Sequence, residues 1–208
     1  MVNNLTFFIR HPFGLCRKII SKIYIFYISH SKNIIIAGKL YINGLPLIDV
    51  RNGARIEFGD KVTLHSINKG YHLNMHSSVK LFAEGEDTLL KIGKNTFIAG
   101  TCIHAYKLIS IGNNCLIAAN CQIIEGNGHD LSFPNVENRI HTSGMDCIKP
   151  IIIEDNVWIC ANTVILPGVR IGNGSIITAN SVVTKDIPAM VIAGGNPAII
   201  IKDYNNVS

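Results

Sequence analysis

His129 is the residue whose type and setting best suit it to chemistry. It lies in the run Gly126-Asn127-Gly128-His129-Asp130, where a flanking glycine lets its ring project from a loop. Histidine has an unperturbed pKa of about 6.5, so a neutral imidazole can accept a proton at neutral pH. We therefore predict that His129 acts as a general base. Asp130 and Glu125 are candidates to orient its ring, although a solvated loop carboxylate explains either residue equally well.

An aliphatic residue at every sixth position indicates which elements hold this loop. This spacing fits neither the period of about 3.6 residues of an α-helix nor the period of two of a strand. It is typical of a parallel β-solenoid, in which each repeat forms one flat side and buries its aliphatic residue. We therefore predict an all-β dominated fold. The repeat positions are Ile153, Ile159, Ile165, Ile171, Ile177 and Val183, with earlier members at Val50, Ile56, Val62, Ile92, Ile98, Ile111, Ile117 and Ile123.

The period divides the chain into predicted regions. Residues 1–33 are predicted to form an amphipathic, partly helical capping segment, and residues 34–202 the solenoid domain. The stretch 124–150 interrupts the repeat, and a loop of this length inside a compact domain is usually functional or disordered. Residues 63–91 lose the period and fit either irregular coils or an inserted hairpin. Residues 203–208 are expected to be a tail.

The composition agrees with a solenoid and excludes some partners. Hydrophobic residues make up 48% of the 208 residues and charged residues only 16%, as expected when each coil buries one aliphatic residue per side. A flat solenoid side can also pack against another subunit, so we expect an oligomer. The net charge of +5 suits a small anionic ligand. Without a basic run it does not indicate nucleic-acid binding.

The N-terminal residues are basic and aromatic but do not form a convincing secretory signal. Lys22 interrupts the apolar stretch, and Ile23–Ile28 is far shorter than the roughly 20 residues that span a bilayer. The segment could lie on a membrane surface, and covering the open first coil is an equally good explanation. We expect a cytoplasmic protein, with contact to the inner face of the membrane through residues 1–30 as a hypothesis.

Three of the six cysteines have a structural explanation. No CxxC pair exists, which argues against zinc ribbons and thioredoxin-like redox chemistry. Cys102, Cys115 and Cys121 each follow an aliphatic repeat position by four residues, at a place where other repeats have a small residue. We predict that all three are buried in the core and that the chain is reduced.

Two stretches carry a resemblance to a known family. The first runs from Ile153 to Ser175 and includes Trp158 and Pro167-Gly168-Val169; the second combines Thr184-Lys185-Asp186-Ile187-Pro188 with Gly195-Asn196-Pro197. Over about residues 90–202 the chain resembles the hexapeptide-repeat acyltransferases. It is most similar to the maltose and galactoside O-acetyltransferases and to the related polysaccharide and lipopolysaccharide O-acetyltransferases. The resemblance implies a left-handed parallel β-helix, a homotrimer, and acetyl-CoA bound in clefts between neighbouring prisms.

The resemblance also implies roles for single residues. His129 matches the family's catalytic histidine, and the backbone amide of Ala161 matches a position that could stabilise an oxyanion. Two positions depart from the family pattern: Cys160 replaces a glycine, and Ile199 replaces a residue that is often basic. The family's acceptor-binding Asn and Asp have no clear counterpart between Gly100 and Lys107. The expected acetyl-CoA contacts are Trp158, Ala161, Ala179, Thr184, Lys185 and Lys202.

The predicted function is acetyl transfer from acetyl-CoA to a sugar hydroxyl, by direct attack with His129 as the base. The expected acceptor is a bacterial surface polysaccharide or its precursor. An N-acetyltransferase of an amino sugar nucleotide, a small-molecule acetyltransferase and a non-enzymatic β-helix scaffold remain alternatives. No metal is expected, because zinc needs three converging ligands and His129 and His141 lie twelve residues apart. His65, His72, His76 and His104 are expected to be structural or exposed, with acceptor contact from a neighbouring subunit as the next option for His104.

Overall fold

Short parallel strands coil into a three-sided prism. The computed structural model describes residues 12–51 and 53–205, so predictions on residues 1–11 and 206–208 lie outside it. Sheet 1 contains β1 (Ile34–Ile36), β4 (Arg55–Phe58), β7 (Leu89–Ile92), β10 (Leu108–Ile111), β13 (Ile151–Ile153) and β16 (Arg170–Ile171). Sheet 2 contains β2 (Leu40–Asn43), β5 (Val62–His65), β8 (Phe97–Ala99), β11 (Leu116–Ile117), β14 (Trp158–Ile159), β17 (Ile176–Ile177), β19 (Val191–Gly195) and β20 (Ala198–Asp203). Sheet 3 contains β3 (Leu47–Arg51), β6 (Lys80–Glu84), β9 (Cys102–Ala105), β12 (Gln122–Ile124), β15 (Val164–Ile165) and β18 (Val182–Val183).

The six-residue repeat builds the core as predicted. Each repeat position stacks on the equivalent position of the next coil: Ile153 pairs with Ile171, Ile159 with Ile177, and Ile165 with Val183. These side chains are at most 1% exposed. All strand pairs are parallel except β19 with β20, which closes the last coil as an antiparallel hairpin. The fold is therefore a left-handed parallel β-helix, as predicted.

Asparagines make the corner between sheets 1 and 2 regular. Asn95, Asn114 and Asn156 each adopt a positive φ of 56° to 60°, which asparagine tolerates better than most residues. Their side-chain amides form a ladder of hydrogen bonds that runs along the prism through Asn173. Each rung needs the same tight turn in successive coils, so this corner carries no long insertion.

Both interruptions of the prism lie at the corners that border sheet 3. Loop 1, residues 66–79, leaves the corner between sheets 2 and 3, and loop 2, residues 125–150, leaves the corner between sheets 3 and 1. Loop 2 contains the 3₁₀ helices Val136–His141 and Met145–Cys147. Residues 63–91 thus form neither irregular coils nor a hairpin: strands β5, β6 and β7 follow the regular frame, and loop 1 is inserted between the first two.

Helix α1 (Pro12–Ser29) precedes the first coil. It packs against β1 and β2, with Ser21 and Ile28 buried. Its presence agrees with the partly helical segment expected before residue 34. Within the described residues, no helix combines the length and apolar character needed to traverse a bilayer.

The core prediction is right for two cysteines and wrong for Cys102. Cys115 and Cys121 are fully buried, and burial raises the pKa of Cys121 to about 11. Cys102 instead lies on the outer surface of sheet 3, in register with Lys80 and Gln122. The repeat is one residue shorter here, because the buried Ile103 follows the buried Ile98 after five positions and not six. The inward position that requires a small residue is therefore occupied by the buried Thr101.

Candidate active site

A cavity opens along the corner between sheets 2 and 3. Three residues expected to contact acetyl-CoA, Trp158, Ala161 and Ala179, line this single space of about 580 Å³. Its walls are mainly apolar, which is typical of a small-molecule site. The structure therefore brings these three predicted residues together. The remaining lining residues are Tyr71, His72, Leu73, Phe97, Leu116, Ile117, Ala118 and Cys160.

Sequence reasoning missed two parts of this corner cavity. Phe97 and Leu116 form a column with Trp158 on the outer surface of sheet 2, because the three residues pair in register. Each directly precedes an inward isoleucine of the repeat, so the frame itself could have identified an apolar outer column. The other part, Tyr71 to Leu73 on loop 1, has no repeat signal. His72 is exposed, as expected, and it also lines the cavity.

Asn120 fastens loop 1 along the corner. Its side-chain oxygen accepts a hydrogen bond from the backbone N–H of His76 at 2.9 Å, and its amide donates to the carbonyl of Asn74 at 2.8 Å. Burial raises the pKa of Tyr71, whose hydroxyl lies beside the backbone of Ala119. The loop therefore forms a fixed wall of the cavity.

His129 lies near the start of loop 2 with its imidazole oriented by the backbone. Its Nδ1 is 3.1 Å from the carbonyl oxygen of Arg139. A carbonyl can only accept a hydrogen bond, so Nδ1 carries a proton, and in the neutral ring Nε2 then has the free lone pair. The ring is exposed in the single chain. This is the tautomer that a general base needs.

Contacts across loop 2 hold this arrangement. The hydroxyl of Thr142 donates to the carbonyl of Arg139 at 2.8 Å and accepts the backbone N–H of Asp130 at 2.8 Å. Gly144 has a φ of 75° and lies against the backbone of Gly128 and His129, where a Cβ would come within 2.7 Å of backbone atoms. Only glycine fits this close approach without displacing the backbone that carries His129.

The structure contradicts an orienting role for Glu125. Its carboxylate is fully buried and accepts the backbone N–H groups of Tyr106, Lys107 and Leu108 at 2.7 to 2.8 Å. Both oxygens are engaged by the turn between β9 and β10, so Glu125 fixes the base of loop 2 and does not reach the imidazole.

Asp130, the other residue predicted to orient the imidazole, also binds elsewhere in loop 2. One oxygen of its carboxylate accepts the backbone N–H of Asp146 at 3.2 Å, while Asp146 accepts that of Leu131 at 2.9 Å. This hydrogen bond from Leu131 is the main cause that lowers the pKa of Asp146. The two aspartates thus brace loop 2, and the hydrogen bond that orients His129 comes from the Arg139 carbonyl instead.

His129 and the corner cavity lie at opposite edges of sheet 3. One side of the prism is six residues long, as from Ile159 to Ile165, which at about 3.3 Å per residue is roughly 20 Å. No residue of loop 2, His129 included, is among the residues that line the corner cavity of the same chain. A second prism that places its loop 2 against the corner cavity would bring them together.

Comparisons with known proteins agree with the fold and the repeat. Residues 150–185 match the family described as bacterial transferase hexapeptide (six repeats), and residues 89–125 match the hexapeptide repeat of succinyl-transferase. A putative acetyltransferase of Schizosaccharomyces pombe is 38% identical over 136 residues, which are 65% of this chain and 56% of that protein. A galactoside O-acetyltransferase of Lactococcus lactis is 34% identical over 144 residues, 61% of this chain and 66% of that protein. The chain belongs to the hexapeptide-repeat acetyltransferase family.

A solved structure of the same family supports this assignment. It is a hexapeptide-repeat-containing acetyltransferase of Vibrio cholerae in complex with acetyl coenzyme A, with a TM-score of 0.52 and 26% identity over 83% of this chain and 73% of that chain. The matches to the first curated relatives are shorter. There the chain spans about half the length of the proteins it matches, between 45% and 56%.

The residues that the family resemblance assigns to the adenosine and phosphate end of CoA lie at two places: Thr184 and Lys185 at one, and Lys202 at the other. Lys202 on β20 is in register with Ile192, and through Ile176 it continues the outer column of Trp158 on sheet 2. Thr184 and Lys185 follow β18, at the same edge of the prism as loop 2, and do not line the corner cavity of their own chain. The structure therefore divides the predicted acetyl-CoA contacts between two edges, as it divides the cavity and His129.

The two residues that depart from the family pattern, Cys160 and Ile199, lie in different settings. Cys160 lines the corner cavity, where burial raises the pKa of its thiol. A cysteine here narrows the space that glycine would leave open. Ile199 lies on β20 and is largely exposed, so it places an apolar side chain where many family members have a charge. Among the described residues, no group of three or more histidine, cysteine, aspartate or glutamate side chains could hold a metal ion.

Proposed function

We propose that the protein is an acetyl-CoA-dependent O-acetyltransferase that acts on a sugar hydroxyl. The observation that carries the proposal is the pairing of an apolar corner cavity lined by Trp158, Ala161 and Ala179 with a histidine whose Nε2 is free to accept a proton. Acetyl coenzyme A is bound in the related Vibrio cholerae structure, and the Lactococcus lactis relative acts on galactosides. Both support the donor and the acceptor class.

The chemistry follows from the tautomer of His129. Nε2 takes the proton of the acceptor hydroxyl while that oxygen attacks the thioester carbonyl carbon. The Nδ1 hydrogen bond to Arg139 stabilises the imidazolium that forms. The backbone N–H of Ala161 is proposed to stabilise the oxyanion. When the carbon–sulfur bond breaks, the imidazolium returns the proton to the CoA thiolate, and no acetyl-enzyme forms.

We propose a homotrimer in which each site is shared. Closed cyclic assemblies place the same edge of every protomer against the same edge of its neighbour. A threefold arrangement could bring loop 2 of one prism to the corner cavity of the next, which brings together His129 of one chain and Trp158 of another. Lys185 would travel with loop 2 to the same seam, where its charge offsets CoA phosphates.

The proposed acceptor is a bacterial surface polysaccharide or its precursor, at the cytoplasmic face of a membrane. Helix α1 supports this setting because its outward side chains are apolar and basic. An N-acetyltransferase of an amino sugar nucleotide, a small-molecule acetyltransferase and a non-enzymatic scaffold are the competing functions.

A transfer assay with a panel of acceptors tests the proposal. The full chain, acetyl-CoA and matched sugars that bear either hydroxyls only or one amine are mixed, and CoA release and acetylated product are measured by thiol titration and mass spectrometry. We expect a hydroxyl product, and His129→Ala should lower turnover by about 10²- to 10⁴-fold with CoA binding retained. His141→Ala, a change of the same kind on the same loop, is the matched control and should leave turnover unchanged.

Three outcomes would contradict the proposal. Product on the amine alone would assign an N-acetyltransferase. CoA binding without turnover on any acceptor would favour a scaffold. Unchanged turnover in His129→Ala would remove His129 as the base, whatever the acceptor.

A further inference from the structure

Helix α1 is apolar on two opposite sides, and only one of them is covered. Ile28 is buried against the first coil together with Ser21, and the partly buried Tyr24 and Ile25 pack on the same core. The opposite side bears five large side chains that are 46% to 75% exposed. At 100° per residue these five fall within an arc of about 120°, so they form one continuous stripe. We call this stripe the free face of α1; it consists of Ile19, Ile20, Ile23, Phe26 and Tyr27.

The charges that α1 itself carries beside the free face are all positive. Arg17, Lys18 and Lys22 are exposed, and the helix from Pro12 to Ser29 contains no acidic residue. An apolar stripe bordered by cations complements a surface with an apolar interior and an anionic border. The α1 helix of a second copy offers no anion to meet these cations, so the charge pattern favours another occupant.

A groove extends the apolar surface from the helix to the prism. A cavity of about 730 Å³ lies between α1 and β3. It shares Ile23, Phe26 and Tyr27 with the free face and reaches Ile48 and Val50 on β3. Asp49 also lines the groove, and its carboxylate is paired with the guanidinium of Arg51. Apolar side chains that already open into a groove could take up part of an acyl chain without rearrangement of the fold.

We infer that the free face of α1 lies on an anionic phospholipid surface, with its apolar side chains among the acyl chains and Lys18 and Lys22 at the headgroup phosphates. The helix would lie in the plane of the surface. This inference does not depend on the proposed acetyl transfer, since lipid binding needs neither the corner cavity nor His129.

The place of α1 in the fold makes the contact stronger in an oligomer. The helix packs at the first-coil end of the prism, beside β1 and β2. Parallel prisms in a cyclic trimer present this end on one side of the assembly, so three copies of the free face can engage one membrane. Linked attachment of this kind can raise overall affinity by about 10²- to 10⁴-fold over a single helix.

Vesicle flotation of the full chain tests the inference. The vesicles contain phosphatidylcholine alone or an equal mixture with phosphatidylglycerol, at low and high salt. We expect flotation with the anionic vesicles only, and weaker flotation at high salt. Lys18→Gln with Lys22→Gln should weaken partitioning about 30-fold per protomer. Ile23→Ser with Phe26→Ser should abolish it, because both apolar contacts are lost.

Matched changes elsewhere on the surface serve as controls. Lys91→Gln with Lys94→Gln removes the same charge, and Ile199→Ser with Ile201→Ser removes the same kind of exposed apolar side chain. Both should float like the unaltered protein, and circular dichroism should show that every variant is folded.

The inference is overturned if the unaltered protein does not float with anionic vesicles, or floats equally with both kinds. It is also overturned if the Lys18 and Lys22 changes have no more effect than the controls. Dissociation of the oligomer by the Ile23 and Phe26 changes, measured by sedimentation velocity, would instead assign the free face to a contact between copies.

Discussion

A shared active site has a quantitative consequence in mixed assemblies. One variant, His129→Ala, lacks the base but keeps its corner cavity. A second variant, Ala179→Trp, keeps the base but places an indole inside the cavity of about 580 Å³, where it obstructs the ligand; Ala179 is exposed at the cavity edge, so the core is untouched. Each variant alone should lose nearly all turnover. A site that takes its cavity from one chain and His129 from the next can be restored by mixing the two.

The extent of restoration follows from the threefold arrangement. Going around a trimer, a site is intact only where a His129→Ala chain, which supplies an open cavity, is followed by an Ala179→Trp chain, which supplies the base. Every mixed trimer, whether two-to-one or one-to-two, contains one such junction among its three. Purified mixed trimers should therefore recover about one third of the unaltered activity. Each parent should show about 1% or less.

The assay uses two affinity tags. The variants are co-expressed with different tags and purified through both, so that only mixed assemblies remain, and native mass spectrometry verifies their composition. The control mixes unaltered chains with chains that carry both His129→Ala and Ala179→Trp. It measures how much activity comes from sites formed by unaltered chains alone. If verified mixed trimers are no more active than the parents, the cavity and His129 do not meet across a seam, and the shared site is refuted.

Four further changes test other parts of the structure. Asn120→Ala should raise the KM for acetyl-CoA about fivefold, because loop 1 loses both of its hydrogen bonds to the Asn120 side chain; steady-state kinetics measures this. Thr142→Val should lower kcat about tenfold without altering thermal stability, and Thr142→Ser should restore it, because its hydroxyl joins the two ends of loop 2. Glu125→Gln should lower the free energy of unfolding by about 2–4 kcal/mol in urea titrations, since its amide places donors against buried N–H groups. Burial lowers the pKa of His104 below its usual value of about 6.5, so between that value and the folded pKa the unfolded chain binds more protons than the folded chain. The free energy of unfolding should therefore decrease as the pH falls through this window. His104→Phe should reduce the decrease, which urea titrations at several pH values measure.

The regular part of this fold could be predicted from sequence because its physical cause is periodic. An inward aliphatic residue at every sixth position fixes which side chains are buried and which strands lie in register, as with Ile153 on Ile171 and Ile159 on Ile177. The position of loop 2 also followed, since the period stops after Ile123. Recognition of Trp158 and Ala161 as neighbours needed only the frame and the family resemblance.

The remainder depends on contacts that leave no period. Cys102 was misplaced because the coil shortens by one residue after Ile98, a change that no local composition marks. The role of Glu125 was missed because its partners are backbone N–H groups of a preceding coil, 17 to 19 residues earlier. Loop 1 was not recognised as a cavity wall because its anchor, Asn120, lies 44 residues after His76.

Asn120 also explains why the insertions occur where they do. Asn162 and Asn180 form a rung of an asparagine ladder at the corner between sheets 2 and 3, and both have a positive φ, as Asn120 does. Asn120 occupies the next position of that ladder, yet its amide binds loop 1. At the corner between sheets 1 and 2, by contrast, the ladder is unbroken and every turn is tight. A corner whose asparagines bind one another is stiff and closed to insertion, whereas a corner whose asparagine is released can hold a loop firmly. Loop 1 and loop 2 leave the prism at the two corners that border sheet 3, and in the proposed trimer a partner chain brings these two corners together.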